Sequence, residues 1–173
     1  MILVQVYLHG EFLRMATNWE LLKTASGSSA ASIDLASLPN RRYLFVQGFV
    51  QGGNGLFYQF NGITTGDEYS TRYASNGGSD GTQIERNDIW CYYNADDEYM
   101  FNTTYITNEE NKEKMAIMET TSNTSTTTSG NPVIRTRAIG KWSNNDVIDE
   151  ITLGSFATAD ELVCNVFGSN GKE

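Results

Sequence analysis

The chain has 173 residues and a net charge of −9, from 21 acidic and 12 basic side chains, which excludes ordinary binding to a phosphate backbone. Its length suits one domain that buries its own core without staples. Charged residues make up 19% of the chain, and Ser, Thr, Asn and Gly fill the deficit, a composition that disfavours long helices and suits short strands joined by turns.

The first segment, residues 1–14, has two readings. Ile2, Val4, Val6 and Leu8 alternate as an extra strand would. Met15-Ala-Thr-Asn-Trp19 is equally a start in its own right, and codons for Gly10-Glu11 can spell a ribosome-binding sequence ahead of it. On that reading residues 1–14 are a leader upstream of the true start. The segment lacks the basic opening and small-residue cleavage site of a signal peptide. Residues 15–173 are expected to form a single domain.

Short β runs follow at the spacing of sandwiches and barrels. They are Trp19 to Ala25, Ser32 to Leu35, Arg42 to Gln51 and Leu56 to Phe60. Gly52-Gly-Asn-Gly55, rich in residues that accept positive φ, predicts a tight hairpin between the last two. Further runs are Tyr69 to Tyr73, Ile84 to Tyr93, Tyr99 to Ile106, Met115 to Thr121, Val133 to Trp142, Val147 to Leu153 and Leu162 to Phe167. Asn76-Gly-Gly-Ser-Asp-Gly81, Asn94 to Glu98 and the Ser/Thr/Asn tract from Ser122 to Pro132 read as loops, the last exposed and mobile, with Pro132 opening the next strand. The expected fold is an all-β, antiparallel β-sandwich, jelly-roll-like, of about ten short strands.

Cys91 and Cys164 lie in apolar runs and read as free, buried hydrophobes, with a disulfide as the alternative. No stretch is long enough to span a membrane as a helix. Two strands carry bulky residues on both faces. Tyr43, Phe45 and Phe49 point one way and Leu44, Val46 and Val50 the other, while Ile89-Trp-Cys-Tyr-Tyr93 is likewise apolar on both sides. The second face calls for a cover, either a subunit interface or a long loop.

Catalytic chemistry finds little material. The one histidine, His9, lies in the first segment, so no Ser-His-Asp or Cys-His set assembles beyond it. Two distant cysteines do not make a zinc site, and no glycine loop leads into a helix to cradle phosphate. Asp67-Glu68, Asp96-Asp97-Glu98 and Glu109-Glu110 fall in loops without the register of a calcium shell or a glycosidase pair. The reading is a non-enzyme with no cofactor. Trp90, Tyr92, Tyr93, Tyr99 and Tyr105 form the candidate site: on the surface they stack on sugar or line an interface, and otherwise they are core. The sequons at Asn102 and Asn123 matter only in a secreted eukaryotic protein.

The chain resembles short jelly-roll-like β-sandwich virion proteins of tailed bacteriophages. The residues that carry the likeness are Trp19-Glu-Leu-Leu with the Ser/Ala/Gly turn after it, Leu38-Pro-Asn-Arg-Arg-Tyr-Leu, and Phe60-Asn-Gly through Tyr69 to Tyr73-Ala-Ser-Asn-Gly-Gly. Gly140-Lys-Trp-Ser-Asn, Ile148 to Ile151 and Phe156-Ala-Thr-Ala-Asp-Glu-Leu-Val complete it, so it spans about Met15 to Gly168 and leaves the first segment out. The resemblance implies a virion structural protein: a capsid-decoration, head-fibre or tail-associated subunit. Its partners would be other virion proteins and its own copies, as a homo-oligomer with a trimer among the forms. A carbohydrate- or receptor-binding module, holding a glycan, is the alternative.

Overall fold

The computed structural model describes residues 19–64, 67–92, 97–124 and 133–171. They form ten strands: β1 (Glu20–Leu35), β2 (Tyr43–Gln51), β3 (Leu56–Phe60), β4 (Tyr69–Ser75), β5 (Gly81–Arg86), β6 (Ile89–Tyr92), β7 (Asp97–Thr107), β8 (Lys114–Thr124), β9 (Ile134–Trp142) and β10 (Ile151–Ser169). Every pairing is antiparallel, and among the described residues there is no helix. The sheet runs β5-β4-β9-β8-β7-β2-β10-β3-β6, with β1 along β10.

One corner, crossed by neighbouring strands, gives the sheet its shape. Ser32 of β1 faces Gly154 of β10 and Ala30 faces Ala159, so residues 155–158 of β10 bulge out against Ala31 alone. Ser29 of β1 bends there with φ 52°. On the other side of β10, Gln51 of β2 faces Glu161 and Phe57 of β3 faces Gly154, almost in continuous register. Both strands run against β10 and therefore in the same direction as each other. The expected hairpin at Gly52–Gly55 is thus corrected: these residues turn the corner without reversing the chain. Gly52 and Gly53 do take positive φ, 68° and 82°. A Cβ on Gly53 would stand 2.2 Å from Ser155 Oγ, which accepts the Asn54 N–H at 3.2 Å. Such corners, made by bulges and bends, are how strands pass between packed layers.

The corner also explains why single strands read as pairs of short ones. β1 absorbs the two runs from Trp19 to Leu35, and β10 absorbs the runs on either side of the extra residues. β10 starts only at Ile151, because asparagine side chains take the place of strand partners just before it. Asn108 accepts the Ile148 N–H at 2.7 Å and donates to Ile148 O at 3.2 Å. Asn61 accepts the Asp149 and Glu150 N–H groups at 3.0 and 3.2 Å and donates to Val147 O at 2.8 Å.

The run from Ile84 to Tyr93 proves to be two strands, β5 and β6, parted at Asn87-Asp88 and standing at opposite ends of the sheet order. Those ends approach. The Trp90 N–H of β6 donates to Thr71 Oγ1 of β4 at 3.2 Å, and the Trp90 ring meets Tyr73 edge-on at 4.4 Å. The sheet is thereby nearly closed as a barrel. Ser122–Thr124 continue β8 and Asp97-Glu98 open β7, where loops were expected. Residues 125–132, Pro132 included, lie outside the described residues, as do residues 1–18.

Inward alternation fills the interior. Leu44, Val46 and Val50 of β2 are buried, as are Leu56, Met100, Met118, Leu153, Leu162 and Val166. Phe60, Tyr69 and Trp142 cluster at one end, with Tyr69 and Trp142 stacked at 6.1 Å. Each such side chain stabilises the fold by roughly 1.5–3 kcal/mol through removal from water. Cys91 and Cys164 are buried and free.

Candidate functional site

The parity of β2 splits as its sequence demands: Leu44, Val46 and Val50 face in, while Tyr43, Phe45 and Phe49 face out and stay partly exposed. Cross-strand register then lines up the outward residues of its neighbours. Leu21 of β1 faces Phe167 of β10, which faces Phe45 of β2. Phe45 faces Tyr105 of β7, then Ile117 of β8, then Ile139 of β9. The result is one unbroken apolar row across six strands. Phe45 and Tyr105 stack at 4.7 Å, and Trp19 lies against both at 5.9 and 6.3 Å. The row remains wet: Tyr105 is 53% exposed, Leu21 55%, Ile117 64% and Ile139 52%.

The next row across the same face is polar: Thr24, Asn165, Gln47, Thr103, Glu119 and Arg137. Beyond it Val163, Phe49 and Phe101 make a shorter apolar row. Glu119 sits between Arg135, which forms an ion pair with it, and Arg137 directly opposite. The hydrogen bond from Arg135, then the two positive charges, hold the Glu119 carboxyl below its usual range. Arg72 donates to Asp80 through Nε and an Nη at 2.9 and 2.6 Å. An open hollow of about 540 Å³ lies over Tyr105, Ile117 and Ile139, rimmed by Arg72, Asp80, Glu119 and Arg137. A second, of about 240 Å³, lies beside Trp19 over Tyr43 and Met115.

The five aromatics singled out in the sequence do not come together at one place. Tyr99 and Tyr105 share the outward face of β7, with Tyr99 stacked on Phe49 at 6.4 Å. Trp90 is half-buried at the seam between β6 and β4. Tyr92 is described through its backbone, opposite Leu56, and Tyr93 lies outside the described residues. Sequence reasoning passed over Leu21, Phe167, Ile117 and Ile139. Ile117 stands in the apolar run Met115–Met118 and Ile139 follows Ala138, and only register shows that they share a row with Phe45.

Two of the loop carboxylates are engaged in structural contacts. Glu68 accepts the Trp142 indole N–H at 2.9 Å, and Glu109 pairs with Arg42. Among the described residues no three His, Cys, Asp or Glu side chains converge as a metal cluster. Asn102 of the first sequon is fully buried. Burial raises the Cys91 thiol well above its usual pKa and the Cys164 thiol to about 12, so both stay protonated and unreactive. No family model matches the chain, and no curated protein is similar enough to match it.

Proposed function

We propose that the chain is a non-enzymatic structural protein of a bacteriophage virion, a capsid-decoration, head-fibre or tail-associated subunit. It acts by packing on other virion proteins and on its own copies, with a trimer among the arrangements. The single observation behind the packing is the row from Leu21 to Ile139, apolar, in register and left open to water. Covering each half-exposed member contributes on the order of 1 kcal/mol, and a contiguous apolar stripe of this kind marks an interaction surface. The phage assignment draws on the sequence resemblance. The non-enzymatic reading draws on the lone histidine and on two thiols kept protonated by burial.

In finer detail the reading is a jelly-roll-like β-sandwich divided at the corner. One layer would hold β5, β4, β9, β8, β7, β2 and the C-terminal half of β10, and the other β6, β3 and its N-terminal half. Support comes from the bends at Ser29, Gly52-Gly53 and residues 155–158, which fall together.

The carbohydrate- or receptor-binding alternative has its own observation: Tyr105 is exposed beside a hollow whose rim carries paired charges able to bond hydroxyls. A glycan array with Tyr105→Ala and Trp90→Ala controls tests it. The virion reading is tested by mass spectrometry of purified particles with cross-linking of neighbours. Presence at fixed stoichiometry is expected, and absence from particles overturns it.

A further inference from the structure

The charged residues of β9 are all cations, Arg135, Arg137 and Lys141, on a chain whose net charge is −9. The outer two are paired, Arg135 with Glu119 and Lys141 with Glu113. Arg137 lies between them, and its guanidinium makes no ion pair or hydrogen bond among the described residues. Glu119 stands opposite it on β8 but already accepts from Arg135. On its other side β4 offers Ala74, which has no polar side-chain atom.

Arg137 stands on the rim of the hollow of about 540 Å³. Tyr105, Ile117 and Ile139 form the apolar floor, and each is half or more exposed. Arg72 faces Ile139 from β4 and closes that end of the row, with its own charge met by Asp80. Asp80 and Glu119 are thus each matched by another arginine, and the rim keeps the one charge of Arg137. The volume falls in the range of small-molecule sites, which combine an apolar bed with a few polar groups.

We propose that this hollow binds a small amphiphilic carboxylate, its aryl or alkyl body on Tyr105, Ile117 and Ile139 and its carboxylate on the Arg137 guanidinium. Chemistry fixes the class. The guanidinium fork matches a carboxylate through two parallel N–H donors. One uncompensated cation balances one negative charge, and the field of a −9 chain repels a dianion such as a phosphate monoester. A peptide strand fits poorly, because β7, β8 and β9 are each paired on both sides and have no main-chain groups to spare for its amides. The ligand fills the β9 end of the row and leaves Leu21, Phe167 and Phe45 free, so the site goes beyond the packing reading and stands or falls without it.

Two-dimensional NMR of the nitrogen-labelled full chain, titrated with phenylbutyrate and with phenylbutanol, tests the site, since these probes share a body and differ in charge. Saturating shifts are expected at Tyr105, Ile117, Glu119 and Arg137–Ile139. The acid should bind about three- to tenfold more tightly than the alcohol. Arg137→Gln should bring the acid down to the alcohol and leave the alcohol unchanged, while Arg137→Lys keeps part of the preference. Ile117→Gln should weaken both probes alike. Both substituted side chains are exposed, so circular dichroism should not change. Equal affinities, a preference that survives Arg137→Gln, or shifts that fail to saturate or fall elsewhere overturn the site. Acetyl-Phe-Asp-amide carries the same groups on a peptide and should bind more weakly than phenylbutyrate. Tighter binding would place a partner's segment here and overturn the small-molecule assignment.

Discussion

The Tyr58 hydroxyl of β3 donates to Asn102 Oδ1 of β7 at 2.9 Å, passing over Gly48 of β2. Asn102 is fully buried and fully satisfied. Its oxygen also accepts from Thr104 Oγ1 at 2.6 Å, and its amide donates to Thr120 Oγ1 at 2.8 Å and Glu119 O at 3.3 Å. Desolvation pushes the Tyr58 pKa well up, so the phenol remains a neutral donor. A Cβ on Gly48 would stand 2.6 Å from that hydroxyl oxygen.

Tyr58→Phe should therefore cost about 1–2 kcal/mol, since Asn102 keeps three of its four bonds. Gly48→Ala should cost more, roughly 2–4 kcal/mol, because it displaces the ring as well as the bond. Urea unfolding followed by tryptophan fluorescence measures both. Equal, negligible losses would show that this cross-interior bond does not matter to stability.

Lys114, at the start of β8, is buried with its ammonium directed at main-chain oxygens of Glu109 (2.9 Å), Asn145 (3.2 Å) and Lys112. Desolvation pulls its pKa below the usual value. It staples the turn before β8 to the loop after β9. Lys114→Met leaves those oxygens unpaired and should cost about 1–3 kcal/mol, read as a lower melting temperature.

The thiols make a third expectation. With Cys164 near 12 and Cys91 also raised by burial, neither should react with a disulfide reagent at pH 8 in the native protein. Both should react once the chain is unfolded in guanidinium. Rapid labelling of the native protein would contradict their burial.

Much of the strand content was legible because aromatic and β-branched runs bounded by turn residues are a local signal: Tyr43–Gln51 and Leu56–Phe60 sit close to where the sequence places them. Long-range pairing was not legible. Gly52-Gly53 announces positive φ, but whether the chain reverses or turns a corner is settled by Ser155 and Asp160 of β10, far along the sequence. Ile84 to Tyr93 has no strong breaker, and Asn87-Asp88 part it only because Asp88 turns inward to pair with Arg86 at 3.2 Å. Of the candidate site, Phe45 and Tyr105 were visible as bulky outward residues. Their alignment with Leu21, Phe167, Ile117 and Ile139 depends on register, which no single strand encodes.

The face reading predicts that polar substitution on the row changes assembly without changing the fold. Ile117 and Ile139 lose little on becoming lysine, as both already face water. Light scattering of wild type and Ile117→Lys/Ile139→Lys at micromolar concentration puts this to the test most directly. The account predicts a wild-type mass above that of one chain and a lower mass in the variant, with matching circular dichroism. A wild type that runs as a single chain, or a variant that assembles as the wild type does, would contradict it.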